Sequence, residues 1–270
     1  MDNLAKALTI AGSDSGGGAG IQADIKTFQE LDTFGMSVIT ALTAQNTLGV
    51  HGVYPQTLDA IEAQLDAVLS DIGADAVKTG MLFSADIITL VAQKLTAYRV
   101  NHIVVDPVMI AKGGAALLLD EAVEALVKKL LPIATVIIPN LPEAAKILGI
   151  ESIDSRTEME QAVKELHALG PRYVVLKGGH LSGDEATDLL YDGETIHVFS
   201  SSRFDTKHTH GTGCTFAAAI AAELAKGASV FDAVKTAKAF ISTAIKHAVA
   251  IGGGIGPTNH HAYKKESLSS

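Results

Sequence analysis

The chain has 270 residues, 47% hydrophobic and 19% charged: enough apolar material for a core and too little charge for a disordered chain. A formal charge of -9 repels a polyanion and argues against nucleic-acid binding, while a lone cysteine, Cys214, excludes an internal disulfide and a multi-cysteine metal site. The N-terminal apolar run is too short for a signal peptide, and no later stretch reaches membrane length without charges. A cytoplasmic protein with no membrane contact is therefore expected.

Short aliphatic runs alternate with amphipathic stretches along the chain. Lys6–Ala11 reads as a buried strand ending in a Gly-rich turn, and Gly20 to about Asp32 as a helix. Met36–Leu42 reads as a strand, Thr57–Asp71 as a helix, and Ala76–Thr79 as a short strand leading to Gly80. A helix over Ala85–Tyr98, a strand over His102–Asp106 and a helix over Asp120–Leu131 follow. Strand Ala134–Ile138 runs into Pro139-Asn140, with helices at Pro142–Leu148 and Arg156–Leu169 and a strand at Tyr173–Lys177. This alternation implies parallel βαβ units, and the continuous apolar strands imply a sheet covered on both faces. Asp192-Gly193 between Ala186–Tyr191 and Thr195–Phe199 is a hairpin signal, so a small antiparallel edge is expected. Two Ala-rich helices, Gly213–Ala225 and Ser229–Ala250, end the pattern. With no repeat and no low-complexity linker, residues 1–270 read as one α/β domain, a three-layer fold around a mostly parallel sheet.

Three sets of residues carry chemistry. His210-Gly211-Thr212-Gly213-Cys214-Thr215-Phe216 opens a long helix. Unpaired N–H groups and the positive dipole end make such a start an anion site, and they lower the pKa of a thiol placed there. A Gly-rich loop closing over a small buried thiol remains the plain alternative. The second set, Gly12 to Gly20 with Asp24 beyond, has five glycines in nine residues directly after the first strand, where ligands approach an open α/β sheet. It lacks the G-x-G-x-x-G spacing of a dinucleotide site, and no Gly-Lys pair occurs anywhere, so a P-loop is excluded. Third, Asp106, Asn140 with Glu143, and Lys177-Gly178-Gly179 close three strands. Carboxylates on one rim can hold Mg²⁺, and a lysine there can meet phosphate oxygens. His208, His210, His260 and His261 have no zinc-ligand spacing. A Cys214–His210 hydrolase is conceivable but shows no orienting partner and would leave the Asp, Glu and Lys set without a role.

The stretches LTIAGSDSGGGAGIQADIKTF, TAQNT, KTGML, VVDPVM, PNLPEA, VLKGGH and HGTGCTFAAAIAAELAKG span nearly the whole chain in order. Together they resemble the hydroxymethylpyrimidine/phosphomethylpyrimidine kinases of the ribokinase-like superfamily, close to the Cys-containing pyridoxal kinases. The resemblance implies an ATP-dependent kinase of thiamine biosynthesis that phosphorylates 4-amino-5-hydroxymethyl-2-methylpyrimidine to the monophosphate and then the diphosphate. It implies an anion hole at Gly211, Thr212, Gly213 and Cys214, with Cys214 as base or orienter. It implies Asn140, Glu143 and Asp106 at Mg²⁺ and the ATP phosphates, Lys177 on those phosphates, and Gly178, Gly179, Asp188 and Lys238 beside the nucleotide. Gln45 would bond the aminopyrimidine edge, in a pocket lined by Gly12, Asp24, Met81 and Val108. A carboxamide offers a donor and an acceptor side by side, which complements that edge, whereas the pyridoxal kinases tend to carry Met in this stretch. Mg²⁺ with ATP, optionally a monovalent cation, small-molecule substrates and a homodimer complete the implication. Pyridoxal kinase activity, alone or as a second activity, is the nearest alternative. A sugar or nucleoside kinase fits less well, because the base position is Cys and no inserted lid sheet is legible near the N-terminus. A non-catalytic nucleotide-binding protein would have to fail to turn over any substrate.

Overall fold

A computed structural model of the chain describes residues 4–109, 120–179, 181, 183 and 185–267. Nine strands form one sheet in the order β3-β2-β1-β4-β5-β6-β7-β8-β9. They are β1 (Lys6–Asp14), β2 (Phe34–Asn46), β3 (Gly49–Pro55), β4 (Ala76–Thr79), β5 (Ile103–Val105), β6 (Val136–Ile137), β7 (Tyr173–Lys177), β8 (Glu185–Tyr191) and β9 (Ile196–Ser202). From β2 to β7 every pairing is parallel, and antiparallel strands close both edges, β3 on β2 at one and β8–β9 at the other. The mostly parallel ribokinase-like fold expected from sequence is therefore present. The expected β8–β9 hairpin is there, and a second antiparallel edge lies at β3. That β3 edge belongs to the same nine-stranded sheet, so among the described residues no separate inserted sheet stands near the N-terminus.

Side chains alternate between the two faces of the sheet, as the pleat requires. Leu8, Ile10, Val77, Ile103, Val105, Ile137, Val174 and Leu176 face one core, shared with α2 (Leu58–Asp71), α3 (Ala85–Ala97), α4 (Asp120–Ala125), α5 (Leu141–Leu148) and α6 (Arg156–His167). Ala7, Ala76, Val104, Val136, Ile138 and Val175 face the other, beneath α1 (Gly20–Glu30), α7 (Thr212–Ala225) and α8 (Val230–Lys246). The helix begun by α4 widens into a π turn at Leu126–Leu130 and then tightens into a 3₁₀ turn at Leu131–Ile133, where Pro132 cannot donate to an α ladder. A last short helix is α9 (Ala262–Ser267).

α7 lies against the sheet with α1 beside it, and Phe216, Ala217, Ala218, Ala219, Ile220, Ala221, Ala222 and Leu224 are all buried. Small side chains let it approach closely, which explains an Ala run too uniform to be amphipathic. Its approach also places its N-terminus against the carboxyl ends of β1, β4, β5 and β7. The order β2-β1-β4 puts the switch point of the sheet beside β1, and the crevice outside the strand ends opens there.

Candidate active site

A cavity of about 190 Å³ occupies that crevice. Its wall includes Gly12, Ser13 and Asp14 at the end of β1, Thr43 and Gln45 on β2, Lys78 and Met81 around β4, and Asp106 and Val108 after β5. Asn140 and Glu143, Lys177, and His210 to Cys214 complete it. A cavity of about 360 Å³ lies at the opposite end of the sheet against Arg99, His102 and Gly227. The smaller one is where strand ends, a helix start and ionisable groups converge, so the chemistry belongs there.

One rim is charged. Lys177 Nζ lies 3.1 Å from Asp106 Oδ1, with Asp106 buried. Burial opposes the Lys177 charge, but Asp106 and Glu143 outweigh it and raise the pKa, so the ammonium persists. Glu143 is the third residue of α5 and shares a capping box with Asn140. Glu143 N donates to Asn140 Oδ1 and Asn140 N donates to a Glu143 carboxylate oxygen, both at 2.8 Å. Burial pushes Glu143 up to about 7, with Lys177 pulling against it. Asp106 Oδ2 is buried and has no hydrogen-bond partner among the described residues. An orphaned carboxylate oxygen beside a second carboxylate and a lysine is a donor set suited to a divalent cation carrying phosphates.

The start of α7 faces this rim. A Cβ built on Gly213 would lie 3.5 Å from Lys177 Nζ and 3.7 Å from Asp106 Oδ2. Gly211 caps the helix in the left-handed region at φ 80°, and a Cβ there would fall 1.8 Å from the Gly18 carbonyl oxygen, so only glycine fits. Thr212 turns its hydroxyl to the Thr209 carbonyl at 2.8 Å. Cys214 differs from expectation: burial pushes its thiol up to about 11, and the nearby Lys78 charge only partly opposes this. The helix start does not produce a resident thiolate, because desolvation, with Asp24 and Asp106 nearby, outweighs the Lys78 charge and the backbone bond at Gly20.

The other rim presents an amide rather than a free charge, because its one carboxylate, Asp14, is tied up in hydrogen bonds. Met81, buried beside Ala41, and partly buried Val108 and Val53 form an apolar floor, with the Met81 methyl close over Gly12. Above it the Gln45 side-chain amide lies 3.0 Å from His210 Nε2, which lies 2.8 Å from Asp14 Oδ2. The Asp14 carboxylate also accepts the N–H groups of Gly16, Gly18 and Ala19 at 2.8, 3.0 and 2.8 Å. Burial alone would raise Asp14, but the His210 bond and these N–H groups hold it below the usual carboxylate value.

Not all expected site residues reach the cavity. Asp24 does not line it: its carboxylate is fully buried beneath, held bidentately by Lys78 Nζ at 2.9 and 2.8 Å and by the Thr9 hydroxyl at 2.6 Å. Lys78, not Asp24, faces the pocket. Asp188 and Lys238 pair with each other at 2.8 Å, and Asp188 accepts the Gly178 N–H at 3.0 Å, beside Lys177 rather than on the cavity wall. Gly179 faces open space past the end of β7. Thr43 and Lys78 are wall residues that sequence reasoning did not single out, and Asp14 and His210, which stand in the two Gly-rich segments it did single out, had no role assigned on this rim. His210 does have an orienting carboxylate, Asp14, but its Nε2 is turned to Asp14 and Gln45. Among the described residues, no group of three or more His, Cys, Asp and Glu side chains is arranged to hold a metal by itself.

The chain as a whole is similar to known proteins. The phosphomethylpyrimidine kinase family model matches residues 14–259. A hydroxymethylpyrimidine/phosphomethylpyrimidine kinase of Bacillus subtilis is 54% identical over 269 residues, covering 99% of both chains. A pyridoxine kinase of the same organism is 48% identical over 99% of this chain and all of its own. In solved structures, a pyridoxal kinase from Staphylococcus aureus in complex with AMP-PCP and pyridoxal superposes with a TM-score of 0.91 at 44% identity, covering 97% of this chain and 95% of that one. With the family model spanning all but the ends, and more than half its residues shared along the full length of one such kinase, the chain belongs to the phosphomethylpyrimidine kinase family.

Proposed function

We propose that this phosphotransferase moves the γ-phosphoryl group of ATP to the hydroxymethyl oxygen of 4-amino-5-hydroxymethyl-2-methylpyrimidine. A second transfer, to the phosphate of the monophosphate, would give the diphosphate used in thiamine biosynthesis. The observation that carries this reading is the division of one cavity: a cationic, carboxylate-bearing rim at Lys177, Asp106 and Glu143 faces an amide-bearing rim at Gln45 over an apolar floor. A phosphate chain fits the first and a flat aminopyrimidine the second.

In each transfer the acceptor oxygen bonds to the γ-phosphorus as its bond to the β,γ-bridging oxygen breaks, and ADP leaves. Such a transition state needs positioning and neutralisation more than a strong base. The N–H groups opening α7 meet the equatorial oxygens and Lys177 the developing negative charge. Asp106 and Glu143, with Asn140 fixing Glu143, would hold Mg²⁺, which would neutralise and align the phosphates. A thiol pushed to about 11 is protonated at neutral pH, so Cys214 orients the acceptor hydroxyl as a hydrogen-bond partner. The hydroxyl proton leaves late, to the transferred phosphate or to water. Gly178, Gly179, Asp188 and Lys238 support the nucleotide from behind Lys177.

The same reading includes one domain over residues 1–270, consistent with the single continuous sheet, together with a homodimer, a cytoplasmic location and an optional monovalent cation. Among the described residues no helix is long and apolar enough to cross a membrane.

Pyridoxal phosphorylation is the second reading. It is favoured by the 48% identical pyridoxine kinase and by an apolar floor that accepts any flat ring. A coupled ADP-release assay with Mg-ATP separates them, comparing hydroxymethylpyrimidine, its monophosphate and pyridoxal. Turnover of both pyrimidines with little pyridoxal activity supports the primary reading. Dominant pyridoxal turnover replaces it with the second.

A further inference from the structure

The amide rim contains a hydrogen-bond conflict whose resolution fixes the orientation of Gln45. Asp14 is ionised and fully committed as an acceptor, taking three backbone N–H groups besides His210. The His210 Nε2 that faces it at 2.8 Å must therefore carry a proton. That same Nε2 lies 3.0 Å from a Gln45 amide terminus, so its one proton is shared between Asp14 and Gln45, and a ring N–H cannot accept from an NH₂ group. The terminus facing His210 is consequently the carbonyl oxygen.

The other end of the amide gives the same answer independently. Thr43 Oγ1 donates its only proton to the Ser13 carbonyl at 2.9 Å. Towards Gln45, 3.3 Å away, it can only accept, so the terminus facing Thr43 is the NH₂ group. Nitrogen and oxygen of an amide are set by their partners, and here both partners select one arrangement.

We propose that His210, oriented by Asp14, is a specificity-determining positioning residue: it fixes the Gln45 amide so that one carbonyl lone pair and one N–H are presented in a set order to the substrate ring. This rests on the reading that Gln45 meets the aminopyrimidine edge. An amide held in one order matches a ring edge that offers an acceptor nitrogen beside an amino donor and mismatches the reversed edge. Close packing keeps the arrangement in place. A Cβ on Gly18 would fall 2.6 Å from His210 Cδ2, so the loop that carries the Asp14 contacts lies directly on the imidazole.

The test is a double-mutant cycle on Gln45→Ala and His210→Leu, with His210→Gln as the variant that keeps an N–H donor at the same reach. Steady-state KM for hydroxymethylpyrimidine and for ATP is read in each. The expected result is a rise of about tenfold in pyrimidine KM for His210→Leu, exceeding any change in ATP KM, with recovery of at least half of it in His210→Gln. The double variant should be no worse than Gln45→Ala alone, because His210 acts through Gln45. Additive losses, or equal rises in both KM values, would overturn the inference while leaving the function intact. A Gln45→Ala protein with unchanged pyrimidine KM would overturn both the inference and the Gln45 contact it rests on.

Discussion

The two halves of the cavity are built differently. On the phosphate half, Asp106, Glu143 and Lys177 follow three adjacent strands of one parallel sheet, and each reaches the rim because its strand ends there. On the ring half, Gln45 is held by His210, 165 residues away, and His210 by Asp14, 196 residues away. Parallel topology delivers charges to one edge repeatedly, with each side chain held by its own element. The amide rim needs three remote segments to meet, and its selectivity comes from the direction of hydrogen bonds. Charge removal should therefore cripple the first half, and small reorientations should suffice to blur the second.

The largest effect should come from Lys177→Met, which removes the cation between Asp106 and Glu143 and leaves both carboxylates without it. A fall in kcat/KM on the order of 10³-fold is expected from steady-state kinetics. A loss below about tenfold would place the neutralising charge elsewhere.

Between the halves, Lys78→Met would strand Asp24 in a fully buried position. A loss of about 3–5 kcal/mol in urea unfolding is expected, since an unpaired buried charge costs more than the pair contributes. Adding Asp24→Asn should restore part of it. No change in the unfolding midpoint would contradict the buried pair.

α7, which presents the anion site, is fastened by Thr215, whose hydroxyl meets His260 Nε2 at 2.9 Å. Burial first, with Lys26 adding to it, depresses His260 to about 4 from 6.5. Between those values the unfolded chain binds a proton that the folded chain refuses. Stability is thus present above pH 6.5 and falls as pH drops toward 4, by on the order of 3 kcal/mol from this group. Denaturant curves at pH 7 and pH 5 should show a smaller drop in His260→Gln than in the parent, and parallel drops would remove His260 from the account of acid lability.

Cys214→Ala should lower kcat by about 10²-fold, as expected when a group that positions the acceptor hydroxyl is lost, while nucleotide affinity changes little. The thiol itself should alkylate slowly at pH 7, with the rate rising about tenfold per pH unit and no plateau short of about 11. A plateau near pH 7 would mean a resident thiolate and restore the direct base role.

Much of the charged half is legible in the sequence for a physical reason. Asp106, Asn140 and Lys177 directly follow aliphatic runs, and a run buried on both faces must end at the sheet's rim. The amide half is less legible because its contacts have no period. Gln45 stands out only through resemblance, and nothing near His210 in the chain points to Asp14. The β2–β3 hairpin goes unread because Asn46-Thr47-Leu48-Gly49 lacks an Asn-Gly or Asp-Gly pair and β3 has little apolar alternation. Asp24 misleads for the opposite reason: it sits beside the Gly-rich loop in sequence, yet α1 turns it inward onto Lys78. The thiol misleads because a helix start suggests a low pKa, and only the packed structure reveals the desolvation that reverses it.

The most direct test of the divided cavity is calorimetric binding of hydroxymethylpyrimidine and of Mg-ATP, measured separately, to the parent protein, Gln45→Ala and Lys177→Met. The expected result is a crossed pattern. Gln45→Ala should lose about tenfold or more in pyrimidine affinity and keep its affinity for ATP, and Lys177→Met should do the reverse. Parallel losses of both ligands in both variants would contradict it, and would mean that the two rims act as one undivided site.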